Sequence, residues 1–126
     1  MSITAGILKR CLEECEKSTY KYRIGAVIFK GSRILSSGHN SIRSSSISPK
    51  YKLYPNSIHA EQAALLGLDW SKLRGYSILT LKISKTKQFL GMAKPCSMCL
   101  TLLNTIGIKN IYYSNPIGEI ELYRED

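Results

Sequence analysis

Between Ile3 and Lys17 the apolar residues Ile3, Ile7, Leu8, Cys11, Leu12 and Cys15 fall on one half of a helical wheel, and Lys9, Arg10, Glu13, Glu16 and Lys17 fall on the other. That period predicts an amphipathic helix. Two apolar, β-prone runs at 24–29 and 34–37 flank Gly31-Ser32, a pair suited to a tight turn, and predict an antiparallel hairpin. From Asn40 to Ser57 the chain is rich in serine and interrupted by Pro49 and Pro55, which predicts a long loop. Asn56 or Ser57 suits the cap of a helix over 58–68, and after Gly75 the run 76–83 reads as a strand. A basic connection over 85–94 shows no regular period. Pro95 is placed to open a helix that runs to Ile106 and stops at Gly107. Strands are predicted at 108–113 and 119–123, about a turn at Asn115-Pro116. This order predicts an α/β fold with helices packed on a mixed sheet. No internal repeat or linker is visible, so one domain over 1–126 is expected.

The chain has 126 residues, 44% of them hydrophobic, enough for a core that depends on neither disulfides nor metal. It contains no run of about 18 apolar residues able to span a bilayer, and Met1 to Arg10 lacks the order of a signal peptide. A cytoplasmic protein that does not enter a membrane is expected. Its four cysteines are then expected to be reduced thiols. The formal charge of +9, from 18 Lys and Arg against 9 Asp and Glu, attracts phosphate-bearing ligands, although solvated lysines on an ordinary surface give the same balance.

Chemistry concentrates in His59-Ala60-Glu61 and Pro95-Cys96-Ser97-Met98-Cys99, each at a predicted helix start. Alone, the histidine reads as a cap, and C-x-x-C as a redox pair or half of a structural zinc site. Together they supply more. Two cysteines three positions apart at a helix N-terminus can aim both sulfurs beyond its end, where the dipole and free amides favour thiolates. One imidazole and two thiolates leave a fourth tetrahedral position open, the mark of a catalytic zinc. Zinc lowers the pKa of bound water from 15.7 toward about 7, and Glu61, two residues from His59, is placed to move protons. A closed structural site would need a fourth ligand from Cys11, Cys15 or His39. The first two lie in the apolar stripe and read as buried small hydrophobes, and His39 reads as a polar loop residue at a strand end.

H-x-E followed by P-C-x-x-C is the signature of zinc nucleobase deaminases. With Gly25-Ala26-Val27 and Gly38-His39-Asn40, the chain from about Ile24 to Tyr113 resembles the cytidine and deoxycytidylate deaminase superfamily. The resemblance implies a three-layer α/β/α fold around a mixed sheet of about five strands. It implies Zn2+ on His59, Cys96 and Cys99, with Glu61 as catalytic acid and base. Substrate contacts are implied for Asn40, the Ala60 amide and the backbone around Ser97. It also implies a homo-oligomer.

The implied reaction replaces an exocyclic amine with a carbonyl, at C4 of cytosine or C6 of adenine. Gly107-Ile108-Lys109 and other local features resemble the deoxycytidylate branch, which favours cytosine in a nucleotide such as dCMP. Arg43, Lys50 and Lys52 with Tyr51 and Tyr54, and Lys82, Lys85, Lys87 and Lys94, suit a nucleotide lid, a nucleic-acid groove or neither. Relatives acting on tRNA adenosine pass almost directly from the third strand to P-C-x-x-C, whereas 84–94 intervene here. Little chain follows the fourth strand to build a polynucleotide surface. A mononucleotide deaminase is therefore the leading expectation. A deaminase of cytosine or adenine in single-stranded DNA or RNA, and a non-catalytic zinc-stabilised nucleic-acid-binding module, are the alternatives.

Overall fold

The computed structural model describes residues 3–19, 22–41, 59–84 and 90–124. The first amphipathic period folds as α1, Ala5–Lys17, capped by the Thr4 hydroxyl, which accepts from the Ile7 amide at 3.2 Å. The hairpin strands are β1, Arg23–Lys30, and β2, Arg33–His39, joined at Gly31-Ser32. α2 spans Ala60–Leu65, β3 Ser77–Ile83, α3 Ser97–Ile106, β4 Asn110–Ser114 and β5 Ile120–Leu122.

The sheet order is β2-β1-β3-β4-β5, with β3 and β4 parallel and every other pair antiparallel. The mixed five-stranded sheet of the sequence reading is thus present. Alternation along each strand divides its core into two layers. Val27, Phe29, Leu79, Leu81 and Tyr112 pack with Ile7, Cys11 and Cys15 of α1. Ala26, Ile28, Ile78 and Ile111 pack on the other face with Ala60, Ala64 and Leu65 of α2 and Leu102, Leu103 and Ile106 of α3.

Two glycines set how closely these layers approach. A Cβ at Gly25 would lie 2.6 Å from the Cys11 carbonyl oxygen and 2.8 Å from the Cys15 nitrogen. A Cβ at Gly38 would lie 2.5 Å from the Ala64 nitrogen. Gly25 therefore lets α1 rest on one face, and Gly38 lets α2 rest on the other. The Cys11 thiol donates to the Gly25 and Leu79 carbonyls at 3.4 and 3.6 Å, and Cys15 to Leu81 at 3.3 Å. Both are buried small side chains, as expected from the apolar stripe.

α2 is shorter than the 58–68 expected, because Leu66 turns to extended backbone and Gly67 takes a positive φ of 78°. Its N-cap is His59 itself. Asn56 and Ser57, expected as caps, lie outside the described residues, as do Arg43, Lys50, Tyr51, Lys52 and Tyr54. α3 ends as expected at Gly107, whose φ of 96° allows its own amide to reach Asn104 and that of Ile108 to reach Leu103, both at 3.1 Å. The connection before Pro95 has form where it is described. Leu90 bridges Ile83, and the Gly91 amide donates to the Lys82 carbonyl at 2.8 Å. Ala93 then donates to Ser114 at 3.0 Å. Lys85 and Lys87 fall outside the described residues.

Candidate metal centre and active cleft

His59 and Cys96 are the N-cap residues of α2 and α3, both with extended backbone, and Cys99 lies in the first turn of α3. The Gln62 side-chain carbonyl accepts from the His59 amide at 3.2 Å, which fixes the cap. The two helix starts meet on one face of the sheet. There, one ligand atom each from His59, Cys96 and Cys99 lies within 4.8 Å of the others. Nδ1 of His59 stands 3.7 Å from Sγ of Cys99. Nitrogen and sulfur on one tetrahedral zinc, at bond lengths of about 2.05 and 2.3 Å, are roughly 3.6 Å apart. The donor set therefore fits.

Its electrostatics fit as well. Burial lowers the pKa of His59 and favours the neutral imidazole that a metal needs. Burial, then the charges of Glu61 and Cys96, raise the Cys99 thiol far above its ordinary range. A cation held among these donors reverses that cost by stabilising the thiolate.

Glu61, in the first turn of α2, is 5% exposed. Burial raises its pKa to about 7, against the lowering effect of hydrogen bonds from its backbone and from Cys99. A carboxyl in that range both takes and gives a proton near neutrality.

These residues open onto a cleft of about 220 Å³ lined by Tyr22, Ile24, Asn40, His59, Ala60, Glu61, Lys82, Met92, Ala93, Lys94 and Cys96. Of the expected substrate contacts, Asn40 and Ala60 are in the wall. Ser97 is exposed at the start of α3 and outside that lining; its carbonyl accepts from Thr101 at 2.9 Å. Asn40 also ties the chain together. Its Oδ1 accepts from Ser18 Oγ at 2.8 Å and from the Ile24 amide at 2.9 Å. Tyr22 and Met92 also line the cleft, and no motif in the sequence marks either. In the sequence Lys82 and Lys94 read only as basic residues suited to a lid, a groove or neither.

The proposed fourth ligands of a closed site lie elsewhere. Cys11 and Cys15 are on the opposite face of the sheet. His39 is not a loop residue but the last residue of β2, with Nδ1 3.0 Å from Oε1 of Glu14. The sequence pattern gave Glu14 no role, yet it is 4% exposed. Burial opposes its ionisation, but hydrogen bonds from His39, Ser37 and Lys17 outweigh burial and hold its pKa at about 2.

Residues 1–115 match the family model described as the cytidine and deoxycytidylate deaminase zinc-binding region. The chain belongs to this family. Membership makes it a deaminase, a hydrolytic enzyme, and zinc is the metal that its His-Cys-Cys group suits. Among solved structures it is similar to the dCMP deaminase of cyanophage S-TIM5, at 22% identity and a TM-score of 0.58, over 90% of this chain and 86% of that one. A second structure of that phage enzyme, in complex with dCMP and dUMP, gives the same identity and score over 90% and 84%. The cytidine deaminase of Burkholderia pseudomallei matches at 18% identity and a TM-score of 0.66, over 96% and 92%. These likenesses establish the three-layer deaminase fold. No curated protein matches the chain.

Proposed function

We propose that this single-domain protein hydrolyses the amino group of a cytosine base to a carbonyl, with a mononucleotide such as dCMP as substrate. The observation that carries this reading is the buried Glu61 carboxyl in the cleft wall beside the His59, Cys96 and Cys99 donors. Zinc on those three residues supplies the Lewis acidity that makes water a nucleophile at neutral pH.

The chain's own groups do the rest. Glu61 accepts the proton that water loses as its oxygen bonds to C4, and delivers that proton to ring N3. It then transfers the second water proton to the exocyclic nitrogen as the C4–N bond breaks. Cytosine and water become uracil and ammonia. Asn40 and the backbone at Ala60 hold the substrate against the wall, and the small cleft admits one base at a time.

The formal charge of +9 favours a second substrate class, single-stranded nucleic acid, through the same site. The test is to incubate zinc-loaded protein and Glu61→Gln with dCMP, CMP, deoxycytidine, single-stranded DNA and tRNA, and to follow amine-to-carbonyl conversion by mass spectrometry. Conversion of a mononucleotide, lost in the variant, is the expected outcome. Conversion only within a polymer replaces the substrate. No conversion with zinc bound overturns the cytosine-mononucleotide reading and leaves a substrate outside this panel or a non-catalytic binding module.

A further inference from the structure

Lys82 lies on the face of β3 that carries the metal centre, paired across the sheet with Ile24, and both line the cleft. Its stem is held in place. A Cβ at Gly91 would lie 3.2 Å from Cδ of Lys82 and 3.5 Å from Cγ, so the returning chain packs closely along this side chain where it has a glycine. Its Nζ stands 4.5 Å from the centroid of the half-exposed Tyr22 ring.

That contact leaves the ammonium's three donors available, because a ring face attracts the charge without accepting a directed hydrogen bond. Among the described residues every ion pair converges on Glu14, which belongs to α1 on the opposite face, and neither Lys82 nor Lys94 has a carboxylate partner. Glu61 is the one carboxyl in the described wall, and Lys94 adds a second cation, its Nζ 5.4 Å from the Tyr123 ring. A positioned ammonium with no carboxylate partner among the described residues, at a cleft that takes a base, matches an anionic group carried on the sugar of that base. It does not match the cytosine amine, itself a donor.

We infer that Lys82, steadied by Tyr22 and Gly91, binds the 5′-phosphate of the substrate and sets the preference for nucleotide over nucleoside. This rests on the deaminase reading above and names the substrate feature that its site selects.

The experiment measures kcat/KM for dCMP and deoxycytidine with zinc-loaded wild type, Lys82→Met and Lys82→Arg, alongside calorimetric affinities for dUMP and deoxyuridine. The wild type is expected to favour the phosphorylated compound in both readouts. Lys82→Met is expected to cut that preference about tenfold or more, as loss of a charge-assisted contact does, and Lys82→Arg to restore most of it. A structural role for Lys82 would lower both compounds equally, and an unchanged ratio overturns the inference. So does a loss confined to single-stranded DNA. If no cytosine compound is converted, yet dUMP binds over deoxyuridine in a Lys82-dependent way, the phosphate assignment stands and the deaminase reading falls. If neither turnover nor phosphate-dependent binding is found, both fall.

Discussion

The Glu61 carboxyl is buried in the cleft wall, and burial is the largest influence on its proton affinity. Glu61→Gln keeps the size and removes the proton carrier. It is expected to lower turnover by about 10²–10⁴-fold, the usual worth of a positioned acid-base group, with zinc content by elemental analysis unchanged. Cys99→Ser has the opposite signature. It removes a donor 3.7 Å from His59 Nδ1, and its zinc affinity, measured by chelator competition, is expected to fall by more than the roughly 10–100-fold that loss of an outer-shell partner costs.

At the scale of elements, the placement of α2 depends on Gly38. Gly38→Ala drives a methyl into the Ala63-Ala64 backbone, and overpacking of this kind costs about 1–3 kcal/mol. Activity is expected to fall with it, since α2 carries His59 and Glu61. Gly6→Ala is the control. A Cβ at Gly6 meets nothing closer than 3.8 Å, at Thr4 Oγ1, so thermal stability is expected to rise by about 0.5–1 kcal/mol from helix propensity. On the other face, Glu14 joins α1 to β2 through Ser37 at 2.7 Å and His39 at 3.0 Å. Its folded pKa of about 2 lies below the ordinary 4.5, so its stabilisation is complete above about pH 4.5 and is lost as pH falls toward 2. Glu14→Gln is therefore expected to lower the melting temperature most at neutral pH, with the gap to wild type closing across that window. Circular dichroism melts from pH 7 to 2 measure it.

At the scale of the whole molecule, two apolar layers on one sheet form the core, and the metal donors stand at helix starts at its margin. Chelation is accordingly expected to abolish activity while the far-ultraviolet dichroism of the fold persists. The charge of +9 distinguishes substrate classes through salt. Binding of dCMP is expected to weaken only modestly between 50 and 200 mM salt, whereas a polymer contacting 6–10 phosphates loses about 10³–10⁵ in affinity over that range. No helix among the described residues is long and apolar enough to cross a membrane.

The pattern of the chain by itself determined the element order, the mixed sheet, the Gly107 stop and the two motifs that supply the candidate metal donors, because periodicity, turn chemistry and ligand spacing are local properties. His59 and Cys96 as paired caps were half legible: the helix starts were in the sequence, but not that the ligand residues themselves are the caps. Tertiary structure decided what depends on neighbours distant in the chain. Gly25 and Gly38 acquire meaning only when helices lie against them, Glu14 reads as one more surface acid until β2 brings Ser37 and His39 to it, and Lys82 becomes a cleft residue through the pairing of β3 with β1, which sets it beside Ile24 on the face of α2 and α3. Spacing along a chain encodes which groups one helix presents. Which strand or loop faces those groups is set by packing across the sheet.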